Sequence, residues 1–339
     1  MHSQEQMKLL LDDPIVQELL DILENEGKAV LQHLDLSYID QLFDQTKTTK
    51  RGRPKVYPPS VNLKALLYGL AEGRRTIRAI SRAIRTSMAL IFLGLKTGMS
   101  YATLDRFWTQ FAALSEAAFK SLAEVIAQLG LLGAVQAVDS TGIATPFKDD
   151  LDAVWSYDAT KKEFYFGYGL LLVVDVDTQL PIAARFVQRK QASKKEWKAV
   201  IRDSMQVKKP HVLLGDSGLD IVELQEQLMD EGVLPIIPYN SRNTDEPLEI
   251  KYRVEDLVHQ RTDKVTLNRR ELDSTYPKRN AVENTNNVLK QMGLEDLHVR
   301  GWNAVKSQTY LILILRLAIA IARYSRDQDC NLRRISIGG

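Results

Sequence analysis

Between residues 134 and 240, short apolar runs and amphipathic runs alternate in a fixed order, and that order limits the fold more than any other feature of the chain. AVQAVDSTGI (134–143) is an apolar run ending in polar groups, and FYFGYGLLLVVDVDTQLPIAARFV (164–187) reads as two strands joined at a DTQLP turn. SKKEWKAVIRDSM (193–205) has helical periodicity, and HVLLGDSGLD (211–220) is a strand entering a turn. IVELQEQLMDEG (221–232) is helical again and VLPIIPYN (233–240) is a further strand. The succession β, β-β, α, β, α, β predicts an α/β domain, a mixed five-stranded sheet flanked by helices, beginning near residue 133.

Upstream the pattern is helical and the charge is segregated. Residues 1–44 hold ten acids against two lysines, a balance of −8, and residues 45–104 hold twelve Lys or Arg against one acid, Glu72, a balance of +11. Solvated surfaces usually mix signs, so a basic block of this purity points to a polyanionic partner. We read residues 1–46 as an acidic helical segment and 47–132 as a basic, all-α, helix-turn-helix-like DNA-binding domain. Within it Ile77, Ile80 and Ile84 share one helical face, while Arg75, Arg78, Arg82 and Arg85 form a stripe on the other, available to phosphates. Ser100 is placed to cap the next helix. Arg51 and Arg53, in RGRP (51–54), sit in a short extended basic arm of the kind that lies in a minor groove.

Within the sheet domain, Asp139 follows AVQAV and Asp216 follows HVLLG, each expected at a strand end where side chains escape the apolar layer. Taken singly, such aspartates are more often turn or cap residues. A third carboxylate lies in YPKRNAVENTNNVLK (276–290). A helix starting at Pro277 puts Arg279, Glu283, Asn287 and Lys290 on one face near Tyr276, with Val282, Val288, Leu289 and Met292 opposite. Alone, Arg279 and Glu283 would be a surface ion pair worth only about 0.3–0.5 kcal/mol. Three carboxylates on strand ends and a following helix can instead hold two divalent ions roughly 3.5–4 Å apart, and hard oxygen ligands suit Mg²⁺.

With these residues in view, the chain resembles the DDE transposases of prokaryotic insertion sequences. Their signature around the glutamate is Y-(2)-R-(3)-E-(6)-K, matched by Tyr276, Arg279, Glu283 and Lys290, and AVDSTGI and LLGDSGLD look like the family's first and second aspartate motifs. The resemblance, spanning most of residues 52–325, implies a ribonuclease-H-like domain over 133–339 with a small insertion near 240–275. It implies Asp139, Asp216 and Glu283 as catalytic metal ligands for two Mg²⁺ ions, with Mn²⁺ able to substitute. Tyr276, Arg279, Asn287 and Lys290 would grip the DNA. The partners implied are double-stranded DNA, as inverted-repeat ends and target, and a second copy of the chain in the complex that pairs the ends. Two departures touch no carboxylate: GYG (167–169) stands where relatives often carry GYK, and QASKKE (191–196) where they often carry an aspartate.

Two rival functions keep the same fold, a structure-selective nuclease and a DNA-binding regulator without catalysis. Other classes fit less well. One cysteine, Cys330, gives neither a disulfide framework nor a thiolate metal site, and His211 has no second histidine nearby for zinc. The acidic N-terminus does not look like a signal peptide, so a cytoplasmic, nucleoid-associated protein is expected. TYLILILRLAIAIA (309–322) falls short of the roughly 20 residues of a membrane span and contains Arg316, so it reads as a buried helix. Of the four tryptophans, Trp155 lies in a polar stretch after the first aspartate, where an indole could stack on an unpaired base.

Overall fold

A computed structural model describes residues 35–45, 57–86, 89–90, 93–158, 162–243, 248–261, 267–326, 328 and 330–333. The expected N-terminal helix upstream of residue 35 and the 47–56 arm with Arg51 and Arg53 lie outside the described residues. The chain divides into two compact units. One comprises residues up to Leu122 with Asp149–Leu151 and everything from Leu289 onward; the other comprises Ala123–Lys148 and Asp152–Val288.

The first unit is helical: α1 (Tyr38–Gln45), α2 (Pro59–Ala71), α3 (Ile77–Ala83), α4 (Tyr101–Phe111), most of α5 (Ser115–Gln128) and the long α11 (Trp302–Arg326). Pro58 and Pro59 open α2 with preset φ, and Thr76 and Ser100 cap α3 and α4 by accepting from Ala79 N and Thr103 N. The apolar run expected to be buried is buried. In α11, Tyr310 through Leu315 and Leu317 through Ala320 are at most 3% exposed. The helix packs on α2 and α4. Trp108 Nε1 donates to Ala304 O (3.2 Å) and Ser307 Oγ to Trp108 O (2.9 Å). This is why residues 289–339 belong with the N-terminal helices rather than with the sheet. Helix α3 is also shorter than its arginine stripe: Arg75 precedes its cap, and Arg85 follows its last turn.

The second unit is built on a mixed sheet of six strands: β1 (Val135–Ala144), β2 (Val154–Asp158), β3 (Glu163–Asp175), β4 (Pro181–Val187), β5 (Val212–Leu214) and β6 (Leu234–Ile236). The five expected strands are present in the order β4-β3-β1-β5-β6, with β1, β3 and β4 antiparallel and β5 and β6 parallel to β1, a ribonuclease-H-like arrangement. The sixth is β2, from a stretch that reads as a loop in sequence. The thirteen-residue β3 pairs with β1 along one edge and divides its other edge between β2 and β4. Val138, Leu171 and Val173 point to one face, where Trp197, Val200 and Ile201 of α6 (Lys194–Val207) and Leu224 and Leu228 of α7 (Val222–Asp230) bury them. Each such aliphatic side chain contributes about 1.5–3 kcal/mol. Asp139 alternates with Val138 and so lies on the opposite face.

The described residues after β6 include α8 (Arg253–Arg261) and α9 (Arg269–Thr275). A 3₁₀ turn over Tyr276–Arg279 then leads into α10 (Asn280–Gln291). The expected helix start at Pro277 is therefore a 3₁₀ turn between two helices, because proline cannot donate the hydrogen bond that would fuse them.

Candidate active site

Asp139 does not end its strand. Antiparallel pairing with β3 carries β1 five residues further, and Asp139 sits in mid-strand opposite Leu172. What ends is the parallel pairing on the other edge, at Ala137 opposite Leu214. Asp139 is two residues past Ala137, and Asp216 is two past Leu214 in extended backbone (φ −83°, ψ 173°). Equal steps beyond a shared register bring the two carboxylates side by side.

Asp139 is half-buried and Asp216 exposed. Burial pushes the Asp139 carboxyl up to about 6; the Ser140 N–H (2.8 Å) opposes this, and the neighbouring Asp216 charge adds to it. The Asp216 carboxylate forms no hydrogen bond into the 3₁₀ turn it precedes (Ser217–Leu219). Small residues surround it, and a Cβ on Gly218 would stand 3.1 Å from Asp216 Oδ1.

The turn and first coil of the Tyr276–Gln291 segment face this pair. Arg279 forms an i,i+4 ion pair with Glu283, and its charge also acts on Asp139. Tyr276 is half-buried, its hydroxyl pushed up by burial against the pull of Arg279, with Asp216 adding to the rise. Asp139, Asp216, Tyr276, Arg279 and Glu283 thus form one electrostatic cluster. On α10, Val282 and Leu289 are buried, as is Met292 just past its end, Glu283 and Asn287 are exposed, and Val288, expected on the buried face, is only half-buried. Lys290, at the start of the first unit's C-terminal segment, pairs with Glu295 of that unit (2.7 Å).

In the first unit Arg78, Arg82 and Arg85 are exposed, and Arg78 lies over the Tyr101 ring (5.5 Å). Arg75 is engaged differently: Nη1 donates to Leu70 O (3.1 Å), Nε lies 3.6 Å from Asp296, and the side chain is only 15% exposed.

Three supports went unread in the sequence. Lys190 lowers the Asp139 carboxyl and pairs with Asp158 (3.5 Å). Asp220, fully buried, accepts from Arg253 Nε and Nη2 (both 3.0 Å), Gln225 Nε2 (3.0 Å) and Asn240 N (2.9 Å), fixing the loop that begins at Asp216. Tyr252, buried, sets its ring against Tyr276 at 5.6 Å in a tilted contact (57°) and donates to Asp273 (2.9 Å). The only sequence signal for the second was a second aspartate four residues after Asp216.

Paired, partly desolvated carboxylates with room around one of them suit a hard divalent cation. Among the described residues, no three acid, histidine or cysteine side chains converge closely enough to hold a metal ion as they stand, and Glu283 is turned to Arg279.

A family model for the transposase DDE domain matches residues 131–318, and one for a transposase domain (DUF772) matches residues 16–110. Probable transposases for insertion sequence element ISH11 from two strains of Halobacterium salinarum, R1 and NRC-1, are each 35% identical over 320 residues, 94% of this chain and 96% of theirs. Among solved structures, a piggyBac transposase synaptic complex with hairpin DNA aligns over 91% of this chain and 77% of its own at 12% identity (TM-score 0.46). A pre-cleavage Mos1 transpososome aligns over 83% and 85% at 11% identity (TM-score 0.23). On the strength of the family match and the full-length relatives, the chain belongs to the DDE transposases of insertion sequences.

Proposed function

We propose that the chain binds the terminal inverted repeats of its own element, pairs them as a homodimer, hydrolyses a phosphodiester at each end and transfers the freed 3′-hydroxyl to target DNA. The observation that carries this reading is the side-by-side placement of Asp139 and Asp216 facing Tyr276, Arg279 and Glu283.

Asp139 and Asp216 would hold the divalent ions, and Glu283 would join them on giving up Arg279. Bound Mg²⁺, or Mn²⁺ in its place, supplies activation of the attacking hydroxyl and neutralisation of charge at the phosphate. The protein's own groups do the positioning. Arg279, released from Glu283, presents a planar guanidinium suited to two phosphate oxygens. Tyr276, fixed by Tyr252, directs a neutral hydroxyl toward the same strand, while Asn287 and Lys290 extend the grip along α10. Exposed Arg78, Arg82 and Arg85 would hold the duplex by its backbone, with Arg51 and Arg53 in the minor groove. The site of action is the cytoplasm, on the nucleoid.

The test uses duplex ends from the DNA flanking the gene, with Mg²⁺. Asp139→Ala, Asp216→Ala and Glu283→Ala should each lower cleavage by about 10³-fold or more while end binding persists. Full activity in any one variant removes that residue from the ligand set. Pre-cut ends should be joined to target, and cleavage without joining would make the protein a nuclease.

A further inference from the structure

The β2–β3 hairpin carries a surface that the cleavage chemistry does not use. Cross-strand register pairs Trp155 with Phe166 and Tyr157 with Phe164, so four rings share one face of the hairpin. The rings touch in pairs, at 5.4 Å and 5.1 Å between centroids. Cross-strand aromatic pairs ordinarily form part of a core, yet Trp155 is 58% exposed, Phe164 69% and Tyr157 40%. Lys148 extends its ammonium over two of the rings, 4.9 Å from the Trp155 centroid and 5.6 Å from that of Phe166.

Register also fixes which way this face looks. Phe166 lies six residues from Leu172 on β3, Leu172 pairs with Asp139, and no shift interrupts the ladder between β1 and β3. Even spacing puts the rings on the same sheet face as Asp139, at most about 20 Å along the strand. The hairpin is tied to the segment after β4: Gln191 Nε2 donates to Tyr157 O (2.6 Å), Gln188 Nε2 to Asp152 O (3.2 Å), and Lys190 pairs with Asp158 (3.5 Å). Lys190 is the same cation whose charge acts on Asp139.

We propose that this face is a stacking platform for consecutive unpaired bases of single-stranded DNA. Flat π-faces accept any base, and a cation resting on the rings complements the phosphate backbone. Protein interfaces share the enrichment in aromatic rings but are depleted in lysine, so the Lys148 ammonium resting on the rings is what favours a polyanionic strand. The proposal rests on the transposase reading above and names a strand conformation that reading leaves open: DNA opened beside the cut, with its bases held by the hairpin.

The probe is an oligothymidylate of about twelve nucleotides, added to the full-length protein without metal. Trp108 and Trp197 are buried but Trp302 is half-buried, so binding is read from the anisotropy of a dye-labelled oligonucleotide, which applies equally to the variants that lack Trp155. Trp155→Ala and Phe164→Ala should each weaken binding roughly tenfold to a hundredfold, and Trp155→Phe should restore most of it. Lys148→Met should reduce the salt dependence of binding by about 0.7 in the log–log slope. Thermal melts of the variants check that the fold is kept, with a loss no greater than the roughly 0.2–1 kcal/mol of one cross-strand pair. Unchanged oligonucleotide affinity in Trp155→Ala and Phe164→Ala overturns the proposal, even if the wild type cuts duplex ends normally. So does a wild-type dimer that Trp155→Ala turns into a monomer, because the face would then be covered by a second copy. Loss of oligonucleotide binding in these variants, from a wild type that never cuts its flanking DNA, would support the platform and remove the transposase activity.

Discussion

At the scale of single residues, two carboxylates held side by side are a liability to the fold that carries them. Asp139 is desolvated beside Asp216, and burial first, then that neighbouring charge, raises its carboxyl to about 6. Asp139→Asn keeps the shape and removes the buried charge. With chelator present at neutral pH, its thermal midpoint should rise by a few degrees, on the order of 1–2 kcal/mol, while cleavage is lost. An unchanged or lower midpoint would mean that the Asp139 carboxylate is fully compensated by its surroundings. Glu255 shows the opposite balance. Burial pushes its carboxyl up, but bonds from Arg269 Nε and Nη2 (2.6 and 2.9 Å) and the Lys251 N–H (2.9 Å) outweigh that and hold it below its ordinary value of 4.5. A carboxyl depressed in the folded state contributes stability fully above its unfolded pKa and loses it as pH falls through the folded one. Below pH 4.5 the wild type should therefore lose stability more steeply than Glu255→Gln, and parallel unfolding curves would refute the assignment.

At the scale of elements, the loop after β5 holds its shape through one buried ion pair. Asp220 and Arg253 are 0% and 3% exposed at the side chain and bond through two donors. Breaking such a pair leaves a bare buried charge, so Asp220→Ala should cost about 3–5 kcal/mol. Removing both partners should cost less than the sum of the single losses, and an additive double-mutant cycle would show that the pair is not coupled. This clamp also marks a limit of reading sequence. The succession of apolar runs was legible because a sheet covered by helices on one face needs them, and Ser100 was legible as a cap because capping is local. Asp139 in mid-strand was not: the end of AVQAV looks like a strand end, and only the long partner β3 extends β1 through it. Strand β2 escaped notice because WSYD lacks an apolar run; it pairs with FYF, brought opposite by the tertiary fold. Arg253 lies thirty-three residues from Asp220, and Lys190 is remote in sequence from Asp139, so neither contact has a local signature.

At the scale of the whole molecule, the proposed function would give the arginines of the basic block 45–104 two jobs that composition alone merges. Its net charge of +11 suggested one arginine stripe from Arg75 to Arg85, but α3 spans only Ile77–Ala83, and the four arginines part company. Arg78, Arg82 and Arg85 are exposed, whereas Arg75 is held by Leu70 O and Asp296 inside the first unit. Gly293 matters here as well: in left-handed backbone at φ 101°, any side chain it carried would run into the Arg75 guanidinium. The two roles separate under salt. Each phosphate contact releases counterions, so log affinity for duplex DNA falls with log salt by about 0.9 per contact. Arg82→Ala should weaken binding to inverted-repeat and unrelated duplexes alike and flatten the salt slope by about one, with the melting midpoint unchanged. Arg75→Ala should do the reverse, destabilising the fold by about 0.5–1.5 kcal/mol through loss of its own bonds while leaving the slope intact, since Leu70 O keeps the Gly73 N–H (2.9 Å) and Asp296 keeps His298 (3.1 Å). If instead Arg75→Ala flattens the slope as much as Arg82→Ala does, then Arg75 leaves Asp296 for the DNA, and its place against Gly293 is a resting position of the unliganded protein.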